Sequence, residues 1–166
     1  MGSGGAGKTT LATRLGPALG LPVVHLDRHY WSPGWVSPAP DEWATTVRRL
    51  TDGERWVMDG NYGGSVSTRL TRAQAVVLLD FPPWRCLLGI LARRLASARA
   101  ARPDLHPDLR DRLTPDFVWW VLTYPWNGRV RMERALAATD APVFRLRSRR
   151  EVEDFLGELA EARGTA

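Results

Sequence analysis

The sequence predicts an α/β protein: a parallel sheet with helices on both faces and a phosphate-binding loop at its N-terminal end. Three observations carry this. Gly2-Ser3-Gly4-Gly5-Ala6-Gly7-Lys8-Thr9 fits G-x-x-x-x-G-K-[ST] at every fixed position. Short apolar runs end in an acid at Val23-Val24-His25-Leu26-Asp27, at Trp56-Val57-Met58-Asp59 and at Ala75-Val76-Val77-Leu78-Leu79-Asp80. Such runs read as buried parallel strands, whose carboxyl ends are where ligands bind in open α/β sheets. Between them lie stretches of helical period. At 166 residues the chain suits one domain with an adequate core.

The loop's chemistry follows from its residue types. At Gly2, Gly4, Gly5, Ala6 and Gly7 small or absent side chains let backbone N–H groups close around phosphate oxygens. Lys8 sets a compact charge on the β- and γ-phosphates, and the Thr9 hydroxyl is placed to ligate Mg²⁺. Thr10 opens a helix through Leu15 whose N-terminal dipole faces the same anion. Lys8 is the single lysine beside 22 arginines. Lysine has been kept where a rotatable point charge is wanted and a planar guanidinium fits poorly.

The first strand is the anomaly. A phosphate-binding loop ordinarily follows a buried strand, yet only Met1 precedes Gly2. That strand is expected to be missing or truncated, with the natural start several residues upstream. Gly16 and Gly20-Leu21-Pro22 stop the first helix, and residues 23–27 form a strand that puts Asp27 at a ligand-facing end, or in a turn or N-cap. Residues 28–40 read as loop, with Trp31 and Trp35 lining a flat substrate or closing a small core. A helix covers residues 41–50. The next strand ends at Asp59, the setting of a Walker-B-type acid near Mg²⁺. A short helix carries Arg69, and the clearest buried strand ends at Asp80.

Phe81-Pro82-Pro83 then starts a long helix over residues 84–101, with Leu87, Leu88, Ile90, Leu91 and Leu95 towards the core and Arg93 and Arg94 further on. A Pro- and Asp-rich connection runs to residue 115. The next helix, over residues 116–122, holds Trp119-Trp120, which read as packing or as a platform for a base. Arg129, Arg131 and Arg134 open another helix. The last strand spans residues 142–147, and Ser148-Arg149-Arg150-Glu151 caps the final helix over residues 152–162.

Composition narrows the function classes. Hydrophobic residues make up 44% and charged residues 25%, as in soluble globular domains, and no apolar run has membrane-span length. A lone cysteine, Cys86, points to a reducing cytoplasm; His25, His29 and His106 lack ligand spacing. The net charge of +5 is local. Residues 85–134 hold ten arginines against five acids, and the rest of the chain is balanced. Such a cluster in a phosphate-loop protein fits a triphosphate better than a duplex, so nucleic acid is the less favoured partner.

The order of elements resembles the P-loop kinases of the adenylate kinase-like group, and most closely the bacterial DNA topology modulation (FlaR-type) family. The residues carrying the likeness are the loop at 2–9, Leu21 to Asp27, Trp31-Ser32-Pro33-Gly34-Trp35, Trp56 to Tyr62, Leu78-Leu79-Asp80-Phe81-Pro82 and Phe144 to Ser148. The resemblance implies a P-loop NTPase fold with a parallel sheet of order 2-3-1-4-5, Mg-ATP at the loop, and an arginine-bearing lid at about 85–134. It implies that Asp59-Gly60 orders water around Mg²⁺ and that an arginine at Arg93 contacts the transferring phosphate. Gly89 stands where those kinases carry a second lid arginine, and their AMP-acceptor motif is not evident.

The sequence therefore points to an ATP-dependent phosphotransferase acting on a small molecule of nucleoside or nucleotide type, as a monomer or weak homodimer. Lys8 and the loop would hold the phosphates, Thr9 and Asp59 the metal, and Arg93 and Arg94 the developing charge. Asp27 would orient an acceptor hydroxyl, and Arg149 would lie near the adenine. A nucleotide-binding regulator with weak ATPase activity and an effect on DNA topology uses the same loop and is the second reading.

Overall fold

The computed structural model describes residues 1–97, 109 and 113–164. Among the described residues four short strands, paired in parallel, are interspersed with eight α-helices, so the protein is α/β. Helix α1 (Lys8–Leu19) starts from Gly7, which is left-handed at φ 90°. It stops at Gly20, left-handed at φ 65°, whose N–H reaches back to the carbonyls of Gly16 and Pro17. It buries Leu11, Ala12 and Leu15. Strand β1 (Val23–His25) follows, then α2 (Leu26–Tyr30), α3 (Pro40–Thr51) and β2 (Val57–Asp59). A 3₁₀ turn at Gly63–Ser65 leads into α4 (Val66–Leu70) and β3 (Val76–Leu79). Helices α5 (Pro83–Ser97), α6 (Pro115–Thr123) and α7 (Gly128–Leu136), strand β4 (Val143–Leu146) and α8 (Arg149–Gly164) complete the order.

The strands form two parallel pairs. Val23, Val24 and His25 stand opposite Val57, Met58 and Asp59; Val76 to Leu79 stand opposite Val143 to Leu146. The single ladder of order 2-3-1-4-5 expected from the resemblance is not seen among the described residues, whose strands form two separate parallel pairs. The root of the loop lies against the second pair: Gly2 bridges Leu79 in parallel, and the Leu79 N–H donates to the Met1 carbonyl at 2.9 Å.

Strand β3 shows why both faces are covered. Leu79 joins a core with Leu11, Leu15, Ile90, Leu146 and Leu156, while Val76 and Leu78 join an opposite core with Val66, Leu70, Met132 and Leu136. The period of two sends alternate side chains to helices on opposite faces. A third core, of Leu26, Trp43 and Val47, lies under α3.

Two boundaries differ from the sequence reading, and one of its open alternatives is decided. Residues 26–30, expected as strand end and loop, form α2, because fully buried Leu26 turns in beneath Gly60. The tryptophan loop packs rather than standing open. Tyr30 lies 4.8 Å from Trp31, 4.9 Å from Trp43 and 4.3 Å from Tyr62, ring centre to ring centre. Helix α8 begins three residues early, at Arg149: Ser148 Oγ accepts the Glu151 N–H and Glu151 accepts the Arg147 N–H, so the expected capping box holds the first turn of the helix. Most of the expected connection and the end of the long helix, residues 98–108 and 110–112, lie outside the described residues.

Candidate functional site

The loop is wedged between helices, and the wedge explains its glycines. A Cβ on Gly5 would strike the Cys86 carbonyl and Ile90, and one on Gly4 would come within 2.8 Å of Phe117. Gly5 and Gly7 also take left-handed φ values of 78° and 90°, which other residues adopt at a cost. The contact is mutual: a Cβ on Gly89 would run into the Gly5 carbonyl. Gly89 therefore occupies the expected place of an arginine because α5 presses its backbone onto the loop. Cys86, fully buried, packs in the same seam, and burial pushes its thiol pKa up.

The loop is also tied from below. The Gly2 N–H donates to Asn61 Oδ1 at 3.2 Å, and Asn61 Nδ2 donates back to the Gly2 carbonyl. Lys8 lies at the N-terminus of α1, and its Nζ donates to the Ser3 carbonyl at 2.9 Å, folding the ammonium across the loop.

Beside Lys8 stand the two oxygen groups expected to hold a metal. Thr9 Oγ1 donates to Asp59 Oδ2 at 2.7 Å, and His25 Nδ1 lies 3.4 Å from the same oxygen. These contacts join the first turn of α1 to the ends of β1 and β2. Asp59 is 7% exposed. Burial alone would raise its pKa, but His25, the Lys8 charge and the Thr9 hydroxyl together hold the carboxyl below its ordinary value. Among the described residues no group of three His, Cys, Asp or Glu side chains could hold a metal ion, so the candidate donor set is the hydroxyl and the one carboxylate.

Sequence reasoning missed what supports Asp59. Arg69 is 2% exposed and donates to the carbonyls of Gly60 at 2.8 Å and Asn61 at 2.6 Å, with longer bonds to Tyr62 and Ser65. One guanidinium gathers the backbone after β2, and burial pulls its pKa down to about 10. Asn61 was visible only as part of a motif. Nothing in the local sequence separates Arg69 from a surface arginine. The same loop carries Tyr62, held at φ 24°, whose hydroxyl donates to Asp27 Oδ1 at 2.6 Å. Burial, and then Asp27, push the Tyr62 phenol far up, so it stays a proton donor that fixes the Asp27 carboxylate.

The remaining candidates are spread more widely. Cys86, Gly89 and Arg93 lie along one side of α5 at spacings of three, four and seven, so Arg93 continues the stripe that meets the loop. Arg94 is turned further round and exposed. Thr10 is exposed on α1, and Arg149 is exposed at the first position of α8. Arg129, a weaker arginine candidate, is engaged elsewhere: its Nη2 meets Asp80 at 3.0 Å, and Arg145 joins both Asp80 and Glu133. Trp120 stacks on Phe117 against Gly4, which gives it a packing role, while Trp119 is 68% exposed.

Compared with family models, with curated proteins and with solved structures, the chain matches none. Among the described residues no helix is long and apolar enough to cross a membrane.

Proposed function

We propose that this protein is a cytoplasmic P-loop phosphotransferase that moves the γ-phosphate of ATP to a small hydroxyl-bearing acceptor of nucleoside or nucleotide type. The observation that carries the reading is the contact of Thr9 with Asp59 at 2.7 Å, formed directly beside a glycine loop that folds Lys8 over itself. A hydroxyl and a carboxylate are the hard oxygen donors that Mg²⁺ takes, with phosphate and water completing its shell. Bound there, Mg²⁺ would neutralise charge on the β- and γ-phosphates.

The chain's own residues do the rest. Backbone N–H groups of the loop and Lys8 hold the phosphates, and Asp59 orients the Thr9 hydroxyl. Asp27, fixed by Tyr62, accepts a hydrogen bond from the acceptor hydroxyl and aligns it for attack. Arg93 offsets charge on the transferring group, a role worth several orders of magnitude where such arginines act.

The test is ADP release from Mg-ATP with and without a panel of nucleosides, nucleoside monophosphates and hydroxylated metabolites. Strong stimulation by one acceptor class is expected, and Lys8→Ala should bring turnover to background with an unchanged circular dichroism spectrum. Turnover retained by that variant would sink the proposal. ATP binding with no acceptor stimulation would favour a nucleotide-binding regulator.

A further inference from the structure

The leucines expected on the core side of α5 mostly face away from it. Cys86, Gly89 and Ile90 press on the loop and its core, so Leu88, Leu91 and Leu95 are turned outward together with Trp84, each between 49% and 79% exposed. Among the described residues eleven large apolar side chains are exposed. Seven of them are these four and Trp119, Leu122 and Trp126, on α6 and the turn after it, and α6 packs beside α5. Together the seven leave on the order of 900 Å² of apolar surface in water. The largest patch on an ordinary monomer covers roughly 300–600 Å², and each partner in a standard interface gives roughly 800 Å².

Trp84, Leu88, Leu91 and Leu95 follow one another at steps of four, three and four residues. Apolar residues at that spacing form a narrow, straight ridge, the pattern by which two helices mesh at a shallow angle. An interface on a two-fold axis has to complement itself. Set antiparallel about an axis between Leu88 and Leu91, this ridge does. Leu88 then meets Leu91 of the second copy, and Trp84 meets its Leu95. On the flanks Arg85 falls opposite Ala92 and Arg94 opposite Leu87, so no two arginines face each other. Arg85 is also held over the Phe81 ring, 5.5 Å from its centre.

We propose that the outward face of α5, extended by α6, is the contact between two copies of this chain, with the two α5 helices packed antiparallel about a two-fold axis at Leu88 and Leu91. The spacing favours a second copy over a lipid surface. A bilayer needs apolar area and does not select steps of four, three and four, whereas the ridge matches its own antiparallel image layer by layer. The contact uses no nucleotide, so it stands or falls separately from the phosphotransferase reading.

Sedimentation equilibrium of the whole chain at micromolar concentration should give twice the chain mass of 18.6 kDa. Leu88→Glu combined with Leu91→Glu should weaken association by about 100-fold or more, because pairing would bury unpartnered carboxylates. The circular dichroism spectrum of that variant should be unchanged, since both positions are exposed in the single chain. Val36→Glu, at an exposed apolar position off this face, should leave the mass at two chains. Raising the salt concentration should not dissociate the pair, because the net charge of +5 on each copy is repulsive and salt screens it. Trp84→Cys and Leu95→Cys are then mixed under oxidation; Cys86 is fully buried and takes no part. The two variants should cross-link with each other and neither with itself, as like positions in an antiparallel pair lie about 16 Å apart along the helices. A monomer at every concentration would overturn the proposal, as would a double variant that associates like the unaltered chain. Self-cross-linking of either cysteine variant would overturn the antiparallel geometry. A monomer that binds phosphatidylglycerol vesicles would overturn the proposal and give the face to a lipid surface.

Discussion

Asp59 and Asp80 end two parallel apolar strands, and their surroundings differ. Asp59, at the end of β2, accepts from a threonine hydroxyl and lies near a histidine. Asp80, directly after β3, is held between Arg129 at 3.0 Å and Arg145 at 3.1 Å, and Arg145 forks onto Glu133 at 2.6 and 2.7 Å. Under the proposed function the first acid would face a cation. The second is neutralised within a four-membered ion cluster that ties β3, β4 and α7 together. An apolar run ending in aspartate therefore has two uses, and the arginines that decide between them come from distant parts of the chain.

The largest expected effect on this contrast is on turnover. Asp59→Asn should lower acceptor-dependent ADP release by about 10–100-fold, as loss of a group orienting a metal ligand does, while Tm moves little. Asp80→Asn should do the reverse. It leaves Arg129 and Arg145 less well matched and should cost about 1–2 kcal/mol, in the lower part of the range because Arg129 is 45% exposed. That is a Tm fall of roughly 2–8 °C with nucleotide affinity unchanged. Should Asp80→Asn instead abolish turnover at an unaltered Tm, the two acids have been assigned the wrong way round.

Gly89→Ala probes the seam between the regions. Its methyl group meets the Gly5 carbonyl, and overpacking of this kind costs about 1–3 kcal/mol. Nucleotide affinity should fall with stability, because the displaced backbone is the loop itself; a variant that loses stability alone would show that the loop tolerates the shift. The smallest effect is expected from Glu133→Gln. Hydrogen bonding from Arg145, ahead of the arginine charges, holds the Glu133 carboxyl below its ordinary value of 4.5. A depressed carboxylate stabilises the fold above its unfolded pKa, and that contribution fades as pH falls through the folded value. Glu133 is 38% exposed, so the variant should lose well under 1 kcal/mol at pH 7, and its acid unfolding midpoint should move less than that of Asp80→Asn.

The loop, the strand cores and the acids were legible in the sequence because each is a local pattern. Glycines before Lys-Thr, apolar runs of strand length and a capping box are written in neighbouring residues, and the structure places Lys8, Thr9 and Asp59 together. Asp27 was read as a strand end or a turn residue, and buried Leu26 drew it into a helical turn. Arg69 gave no signal and Asn61 showed only as part of a motif, because their partners are backbone groups whose direction is set only after the chain has turned. Gly89 read as a missing arginine until the Gly5 carbonyl was found against it.

By itself, then, the sequence determined an α/β chain with a glycine-rich loop ahead of Lys-Thr and an acid near it, since short-range spacing dictates turns, helix starts and strand faces. Tertiary structure alone decided which acid stays available and which arginines become structural. It also decided that the strands stand as two separate parallel pairs. Those outcomes depend on contacts between residues as far apart as Thr9 and Asp59 or Asp80 and Arg145, and burial and charge pairing act through distance in space rather than position in the chain.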